Sequence, residues 1–258
     1  MSLGFNAEDT TKGYIGNGGI LMSVLDANDR PTNGFFNVGQ LSSVSLALSS
    51  DKVEMQDMVY GTLGVAKSKT IKNNGEVTFN MKSLAPQIAA LALNGAVIDD
   101  VAESGATATV SAFRGRSINV DGVISKVVSV KVTDEENLLV PGVDYVASNG
   151  SIFFFETANI TDGDTVDVVY DKAAVKRIEG MTNSGVNVMV IFDGINLAEN
   201  DSPVKVTYYK VALSPAAQRQ LLSSDYADLE IKGTLQVSKF ISGAGISKMF
   251  KEEHVVAV

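Results

Sequence analysis

The 258-residue sequence lacks cysteine and tryptophan, and it contains a single histidine, His254. Without cysteine the chain cannot form disulfides, thiolate nucleophiles, thiolate zinc sites or iron–sulfur clusters. One histidine excludes metal sites that take two histidines from one chain, and a Ser-His-Asp triad would depend on a residue close to the C-terminus, where chains usually fray. We therefore expect a protein that is not an enzyme and holds no cofactor or metal.

Positive charge is also scarce, with 21 Lys and Arg against 30 Asp and Glu, a net charge of −9. Nucleic acids and anionic membranes bind surfaces with excess positive charge, so this balance argues against a general binder of either. The longest apolar stretch, Leu84 to Leu93, is interrupted by Pro86 and Gln87 and is too short to span a bilayer. With no basic and apolar leader at its start, the sequence predicts a soluble protein made in a cytosol.

Apolar and polar residues alternate along several segments, which is the pattern of a strand with one buried face. The alternation runs through residues 43–51, 76–82, 186–192, 204–209 and 229–238. In the first, second and last of these the opposite face is polar, apart from Ala47 in the first. The sequence thus predicts long two-faced strands in a mainly β protein.

Two segments around these strands differ in character. Residues 16–19 (GNGG) precede a predicted strand, ILMSVLD; because a phosphate-binding loop needs a helix there, we interpret them as a turn. Residues 52–74 are polar and Lys-rich and fit a long loop or an extended hairpin. Within them Met55 and Met58 are apolar where solvent is expected, which fits an adaptable contact surface or local packing about equally well.

One short helix is predicted over about residues 84–93, where apolar residues repeat at helical spacing. Ser83 precedes it as an N-cap, with Gln87 near the reciprocal capping position. Asn94-Gly95 is the C-terminal stop signal.

The middle of the chain is predicted to form a separate small domain. Residues 117–176 contain short strands separated by turn dipeptides such as Asn149-Gly150 and Asp162-Gly163, and Asn-Gly between β-rich runs is a strong hairpin signal. This spacing predicts a small β-sandwich of immunoglobulin-like type. We expect it to interrupt a discontinuous domain formed by residues 1–116 and 177–258.

Two polar motifs could serve as binding sites, but each favours a simpler interpretation. Arg114 and Arg116 could hold an anion, and we expect them in a solvated loop. Asp162, Asp164 and Asp167 resemble the start of a calcium loop but lack its later ligands and closing glutamate, so we expect a β-turn.

Several longer segments follow one another in a familiar order. They are GNGGILMSVLDA, NVGQLSSVSLALSSDKVEMQDMVYG and VTFNMKSLAPQIAALALNG, then LLVPGVDYVASNGSIFFF with DGDTVDVVYDKAA, and finally VMVIFDGINLAENDSPVKVTYYKVALSPAAQRQLLSSDYADLEIKGTLQV. In this order, over almost the full length, they resemble the major tail tube proteins of long-tailed, non-contractile bacteriophages. Glu230-Ile231-Lys232-Gly233 fits the family's closing L-x-L-x-G element only loosely.

The resemblance implies a tail-tube domain, a β-sandwich or barrel, in a structural protein of the virion tail that is assembled in the host cytoplasm. Members of the family form hexameric rings that stack into a hollow tube, with four strands of each subunit joining one continuous barrel. The implied partners are further copies of the chain and the tape measure, tail terminator and tail tip proteins. Phage DNA would pass through the lumen without specific binding, no membrane would be involved, and the insert 117–176 would decorate the outside.

The two-faced strands and the resemblance together give two sets of candidate residues. Those expected to line the lumen are Ser45, Ser49, Asp51, Glu76, Thr78, Asn80, Glu230, Lys232, Thr234 and Gln236. Those expected to contact the next ring are Met55, Met58, Tyr60, Lys67, Lys69 and Phe250, together with the loop 52–74, the N-terminal arm 1–15 and the tail 241–258. An acidic lumen would repel DNA from the wall.

Two other functions remain open. The inner tube of a contractile tail or secretion machine shares the fold, although a bulky external insert would clash with a surrounding sheath. A bacterial β-sandwich adhesin belongs to a different class, and the missing leader counts against it.

Overall fold

The computed structural model describes residues 13–58, 64–82, 84–133, 135–226 and 228–255. The chain is 56% strand and 3% helix, which confirms the predicted mainly β class. It divides into two compact units. Unit 1 comprises the residues up to Ala96 and those from Ile178 onward, and unit 2 comprises Val97–Arg177.

In chain order, the strands of the two units are β1 (Gly16–Val24), β2 (Phe36–Asn37), β3 (Leu41–Asp57), β4 (Gly64–Met81), β5 (Ala96–Asp100), β6 (Glu103–Ser111), β7 (Ser117–Asn119), β8 (Ile124–Val132), β9 (Tyr145–Ser148), β10 (Ser151–Phe154), β11 (Thr165–Lys172), β12 (Val175–Glu179), β13 (Asn187–Asn196), β14 (Ser202–Leu213), β15 (Leu229–Leu235) and β16 (Phe250–His254). The helix α1 (Pro86–Ala92) lies between β4 and β5.

Unit 1 is built on one antiparallel sheet with the strand order β2-β1-β13-β14-β15-β4-β3, and β16 pairs with β14. The sheet is open rather than a closed barrel. Burial alternates strictly along β15, as period-two patterning predicts. The buried side chains form one core that includes Ile20, Phe79, Val190, Val211 and Ile231. At one end of the sheet, β3 has an edge without a strand partner among the described residues.

Helix α1 begins later than predicted. Its N-cap is Ala85, with no side-chain cap, and Pro86 occupies the first turn, where the missing N–H of proline costs nothing. The prediction of Ser83 as the N-cap is therefore wrong, and Ser83 itself lies outside the described residues. The predicted stop holds, since Asn94 has a positive φ of 46° directly after the helix.

Unit 2 is a sandwich of two three-stranded sheets, β7-β10-β9 and β6-β11-β8. Side chains from both sheets, among them Val130, Ile152, Phe154 and Val168, share one core. The predicted hairpin at Asn149-Gly150 joins β9 to β10. The boundary predicted at residue 117 falls inside unit 2, because β6, which precedes it, pairs with β11.

The four residues predicted as a turn, 16–19, form the first half of β1 instead. They pair with the end of β13, and Gly18 lies opposite Gly194. A Cβ atom at Gly18 would lie 2.5 Å from the Asp193 carbonyl oxygen and 2.5 Å from the Gly194 Cα. The backbones of β1 and β13 therefore approach too closely here for any residue with a side chain.

We expect Gly18→Ala to destabilise unit 1 by about 1–3 kcal/mol, because backbone atoms must move to admit the methyl group. Gly19→Ala is the matched control, since its Cβ would have its nearest neighbour at 3.8 Å, and it should change the stability by less than about 1 kcal/mol. Urea unfolding of the two variants beside the parent measures the difference. Equal stability of the two variants would contradict the close approach.

A buried ion pair joins three separate segments of unit 1. The Asp29 carboxylate is 2.8 Å from the Lys210 ammonium on β14, and it accepts a hydrogen bond of 2.8 Å from the Lys239 backbone N–H. The side chains are 3% and 14% exposed, so water screens this pair little. The hydrogen bond from Lys210, and next that from Lys239, hold the pKa of Asp29 below its ordinary value of 3.8.

Asp29→Asn should cost about 3–5 kcal/mol at neutral pH, because it leaves the buried Lys210 ammonium without its counter-charge. Because the pKa of Asp29 is lower in the folded than in the unfolded protein, its ionised form stabilises the fold at pH values above the unfolded pKa of 3.8. This stabilisation is lost as the pH falls through the lower pKa of the folded state. The difference in stability between the parent and the variant should therefore be largest near neutral pH. It should disappear at acid pH, below the pKa of Asp29 in the folded state. Thermal midpoints across the pH range test this, and a pH-independent difference would contradict it.

Candidate functional site

Polar side chains from three strands gather on one face of the sheet in unit 1. Along β3, β4 and β15 the apolar residues point into the core, so the residues between them point away from it. The strand register aligns them in three rows: Ser43–Asn80–Glu230, Ser45–Thr78–Lys232 and Ala47–Glu76–Thr234. We call these nine residues the polar face.

The polar face contains seven of the ten residues predicted to line a lumen: Ser45, Glu76, Thr78, Asn80, Glu230, Lys232 and Thr234. Ser49 and Asp51 lie on the same side of β3 but beyond the last row of the polar face. There the Asp51 carboxylate accepts a hydrogen bond of 3.2 Å from the Asn74 amide. Gln236 follows the end of β15, and its backbone N–H donates to the Lys210 carbonyl oxygen at 2.9 Å.

The polar face is less acidic than the sequence suggested. The Glu230 carboxylate lies 3.3 Å from the Lys232 ammonium, and both side chains are about half exposed, so the pair adds little stability. The Asn80 amide donates a hydrogen bond of 2.8 Å to the Ser43 hydroxyl. Because Lys232 compensates Glu230, the net negative charge of this face comes from Glu76 among hydroxyls and one amide.

The segment 52–74 belongs to an extended hairpin, one of the two forms predicted for it. The pairing of β3 with β4 continues to Asp57 and Gly64. Residues 48–57 and 64–73 are exposed on both faces, and we call these two stretches the distal ribbon. Met55 and Met58 are 61% and 77% exposed, which favours a contact surface over local packing.

The remaining residues predicted to contact the next ring divide between two places. Lys67 and Lys69 lie on the exposed β4 strand of the distal ribbon, while Tyr60 lies outside the described residues. Phe250, at the start of β16, is half-buried, and its ring lies 6.1 Å from that of Tyr208. Part of its apolar surface is therefore already covered within unit 1.

Phe250 also lies beside the base of the distal ribbon. A groove there is lined by Leu48 and Asn74 from the hairpin and by Ser247, Met249 and Phe250 from the tail. The structure thus places the predicted tail and hairpin contacts side by side, although they are far apart in the sequence.

The described part of the N-terminal arm is held by one buried side chain. The Asn196 amide oxygen accepts the Ile15 N–H at 2.9 Å, and its NH₂ group donates to the Gly13 carbonyl oxygen at 2.9 Å. Residues 1–12 of the predicted contact arm lie outside the described residues. Asn196 had no distinguishing signal in the sequence, since its partners lie at the other end of the chain.

The polar motifs of unit 2 are engaged in local structure. Asp162 accepts the Arg114 backbone N–H at 2.9 Å, and the Asp164 carboxylate accepts the Thr161 N–H at 2.6 Å. The Asp164 N–H donates to the Thr161 carbonyl oxygen at 2.9 Å, which is the hydrogen bond of a β-turn. The Arg116 guanidinium lies 5.6 Å from the centre of the Phe113 ring. Across the described ranges, no group of three or more acidic or histidine side chains is arranged to hold a metal ion.

An ionic cluster in unit 2 was missed by sequence reasoning. The Lys172 ammonium lies 2.9 Å from Asp121 and 3.3 Å from Glu103, and the hydrogen bonds to these two carboxylates raise its pKa. Nearby, Lys176 and Arg177 pair with the adjacent carboxylates Asp99 and Asp100. The ion pairs join residues that are far apart in the sequence, on separate strands and, for Asp121, in the loop between β7 and β8, so no local sequence pattern predicts them.

These features define an antiparallel β protein with a polar sheet face, an exposed hairpin and a sheet edge that has no partner strand in the part of the chain that the structure describes. The family described as Protein of unknown function UCP028589 matches residues 13–252, and the chain belongs to that family. No curated protein matches the chain. No helix among the described residues has the length and apolar character needed to cross a membrane.

Proposed function

We propose that this protein is the structural subunit of the tail tube of a long-tailed, non-contractile bacteriophage. Copies assemble into hexameric rings, the rings stack into a hollow tube, and genomic DNA passes through the lumen. The observation that carries the proposal is the polar face, which unites residues from three strands opposite the core. The resemblance in sequence order adds the ring symmetry and the partners at the two tail ends.

The unpartnered edge of β3 supports self-assembly. This strand has 17 residues and ends the sheet, so a row of backbone N–H and C=O groups is available for pairing with another chain. Proteins that work as monomers usually shorten or cover such edges. A closed ring removes them, because each subunit pairs with the next.

The chemistry of the polar face suits a channel for DNA. A duplex carries one negative charge per ~1.7 Å of its axis, so a wall with excess lysine or arginine would hold it by many phosphate contacts. The polar face offers four hydroxyls, one amide and two carboxylates, and its single lysine, Lys232, is paired with Glu230. A wall of this kind is wetted by water and has no excess positive charge to retain the phosphates.

Purified protein should form rings and stacked tubes with six-fold symmetry, because assembly pairs the β3 edge. Negative-stain electron microscopy across a range of concentrations, with sedimentation velocity beside it, measures this directly. A protein that remains monomeric at every concentration and ionic strength would contradict the proposal and favour the adhesin alternative.

Reversing the carboxylates of the polar face should make the tube retain DNA. We expect tubes of Glu76→Lys/Glu230→Lys protein to cosediment with short duplex DNA at low salt, and phage carrying them to eject DNA more slowly, because lysines then face the phosphates.

Glu135→Lys/Glu136→Lys is the matched control, since it changes the charge equally at two exposed positions of unit 2. Its tubes should behave as the parent does. DNA retention equal for the control and the polar-face variant would show that this face does not line the channel.

A further inference from the structure

The two strands of the distal ribbon carry opposite charge. Its β3 strand, residues 48–57, contains Asp51, Glu54 and Asp57 with one lysine, Lys52. Its β4 strand, residues 64–73, contains three lysines and no acidic residue: Lys67, Lys69 and Lys72. We call these the acidic strand and the basic strand.

We propose that copies of this chain join head to tail through the distal ribbon, with the acidic strand of one copy lying beside the basic strand of the next. That these contacts close into a ring rests on the proposed function. That the acidic strand of one copy meets the basic strand of the next follows from the charges of the ribbon alone.

Both strands of the ribbon have an edge available for such pairing. β3 ends the sheet along its whole length. β4 pairs with β15 only from Glu76 to Met81, so within the described residues the basic strand has no neighbour on its outer side. Each ribbon therefore offers two edges of unpaired backbone groups, one on each side.

The lysines of the basic strand form no salt bridge with the described part of the hairpin. In the strand register Lys69 lies opposite Val53 and Lys67 opposite Met55, so neither faces an acidic residue. Lys72 lies opposite Asp51. Among the described residues, none of the three lysines of the basic strand has a carboxylate within 4.0 Å (the limit for a salt bridge). A neighbouring acidic strand would supply those counter-charges.

The ribbon also exposes apolar surface that a neighbour would cover. Val53, Met55, Val65 and Ile71 are each more than half exposed. A two-stranded ribbon is marginally stable alone in water, whereas three or more strands with a covered face are stable. Pairing with copies on both sides would give each ribbon that support.

Charge selects between the possible ways of pairing. A two-fold contact between two acidic strands sets carboxylates beside carboxylates, and one between two basic strands sets lysines beside lysines; like charges on neighbouring strands destabilise a sheet. Only the contact of an acidic with a basic strand sets opposite charges together. Such a contact is heterologous, so it generates a ring or a filament instead of a dimer.

The test uses the full chain with charges reversed on one strand at a time. Asp51→Lys/Glu54→Lys makes both strands basic, and Lys67→Glu/Lys69→Glu/Lys72→Glu makes both acidic. Each variant alone should need at least about tenfold more protein for half-assembly than the parent, because every contact then joins like charges. Sedimentation velocity and negative-stain electron microscopy measure the assembly.

Two further samples separate charge complementarity from damage to the fold. An equimolar mixture of the two variants should assemble again with the two proteins alternating, and so should one chain that carries all five substitutions, since each acidic strand again meets a basic one. Both restorations should weaken at about 1 M salt, where the Debye length is near 3 Å. The Glu135→Lys/Glu136→Lys control should assemble as the parent does.

The outcomes distinguish this inference from the proposed function. If the parent forms rings and both single-strand variants assemble at the parent's concentration, the ribbon contact is wrong and the tube function stands. If the variants fail but neither the mixture nor the combined chain recovers, charge complementarity is wrong. If the parent remains monomeric throughout, both proposals are wrong.

Discussion

A β-hairpin can keep a buried face only where a second layer covers it, and this constraint divides the hairpin of β3 and β4 into two parts. Up to the row that pairs Leu46 with Val77, the inner face packs on the core of unit 1. Leu235 marks the limit, since its side chain lies against Gly75 with no room for a Cβ atom. Beyond that point both faces are in water, and the same two strands become the distal ribbon.

The two parts of the hairpin suit different work. Where the core holds the inner face, the outer face is fixed in position, and its rows of polar residues form a regular surface across three strands. Where the core ends, pairing with each other is the main support of the two strands, so their stability depends on what else lies beside them. A regular polar face and an exposed ribbon thus both follow from the point at which the core of unit 1 ends.

The sequence could predict which residues of each strand point to the polar face, but it could not predict which strands lie side by side. The side on which Glu76, Thr78 and Asn80 point depends only on the alternation within one strand. That β4 lies between β3 and β15 depends on pairing with a strand more than a hundred residues away in the chain. For the same reason residues 16–19 were wrongly expected as a turn, because the partner that requires Gly18 is the distant Gly194.

The net charge of the chain does not predict the charge of its polar face or of its distal ribbon. The chain carries −9 overall, yet the polar face balances Glu230 with Lys232, and the distal ribbon separates acids from lysines onto two strands. A conduit for DNA needs a wall without excess positive charge, a weaker condition than an acidic wall. Under the proposed assembly, the position of the charges matters more than their sum: the lysines of the basic strand lie outside the polar face, at an edge where a neighbouring acidic strand would meet them.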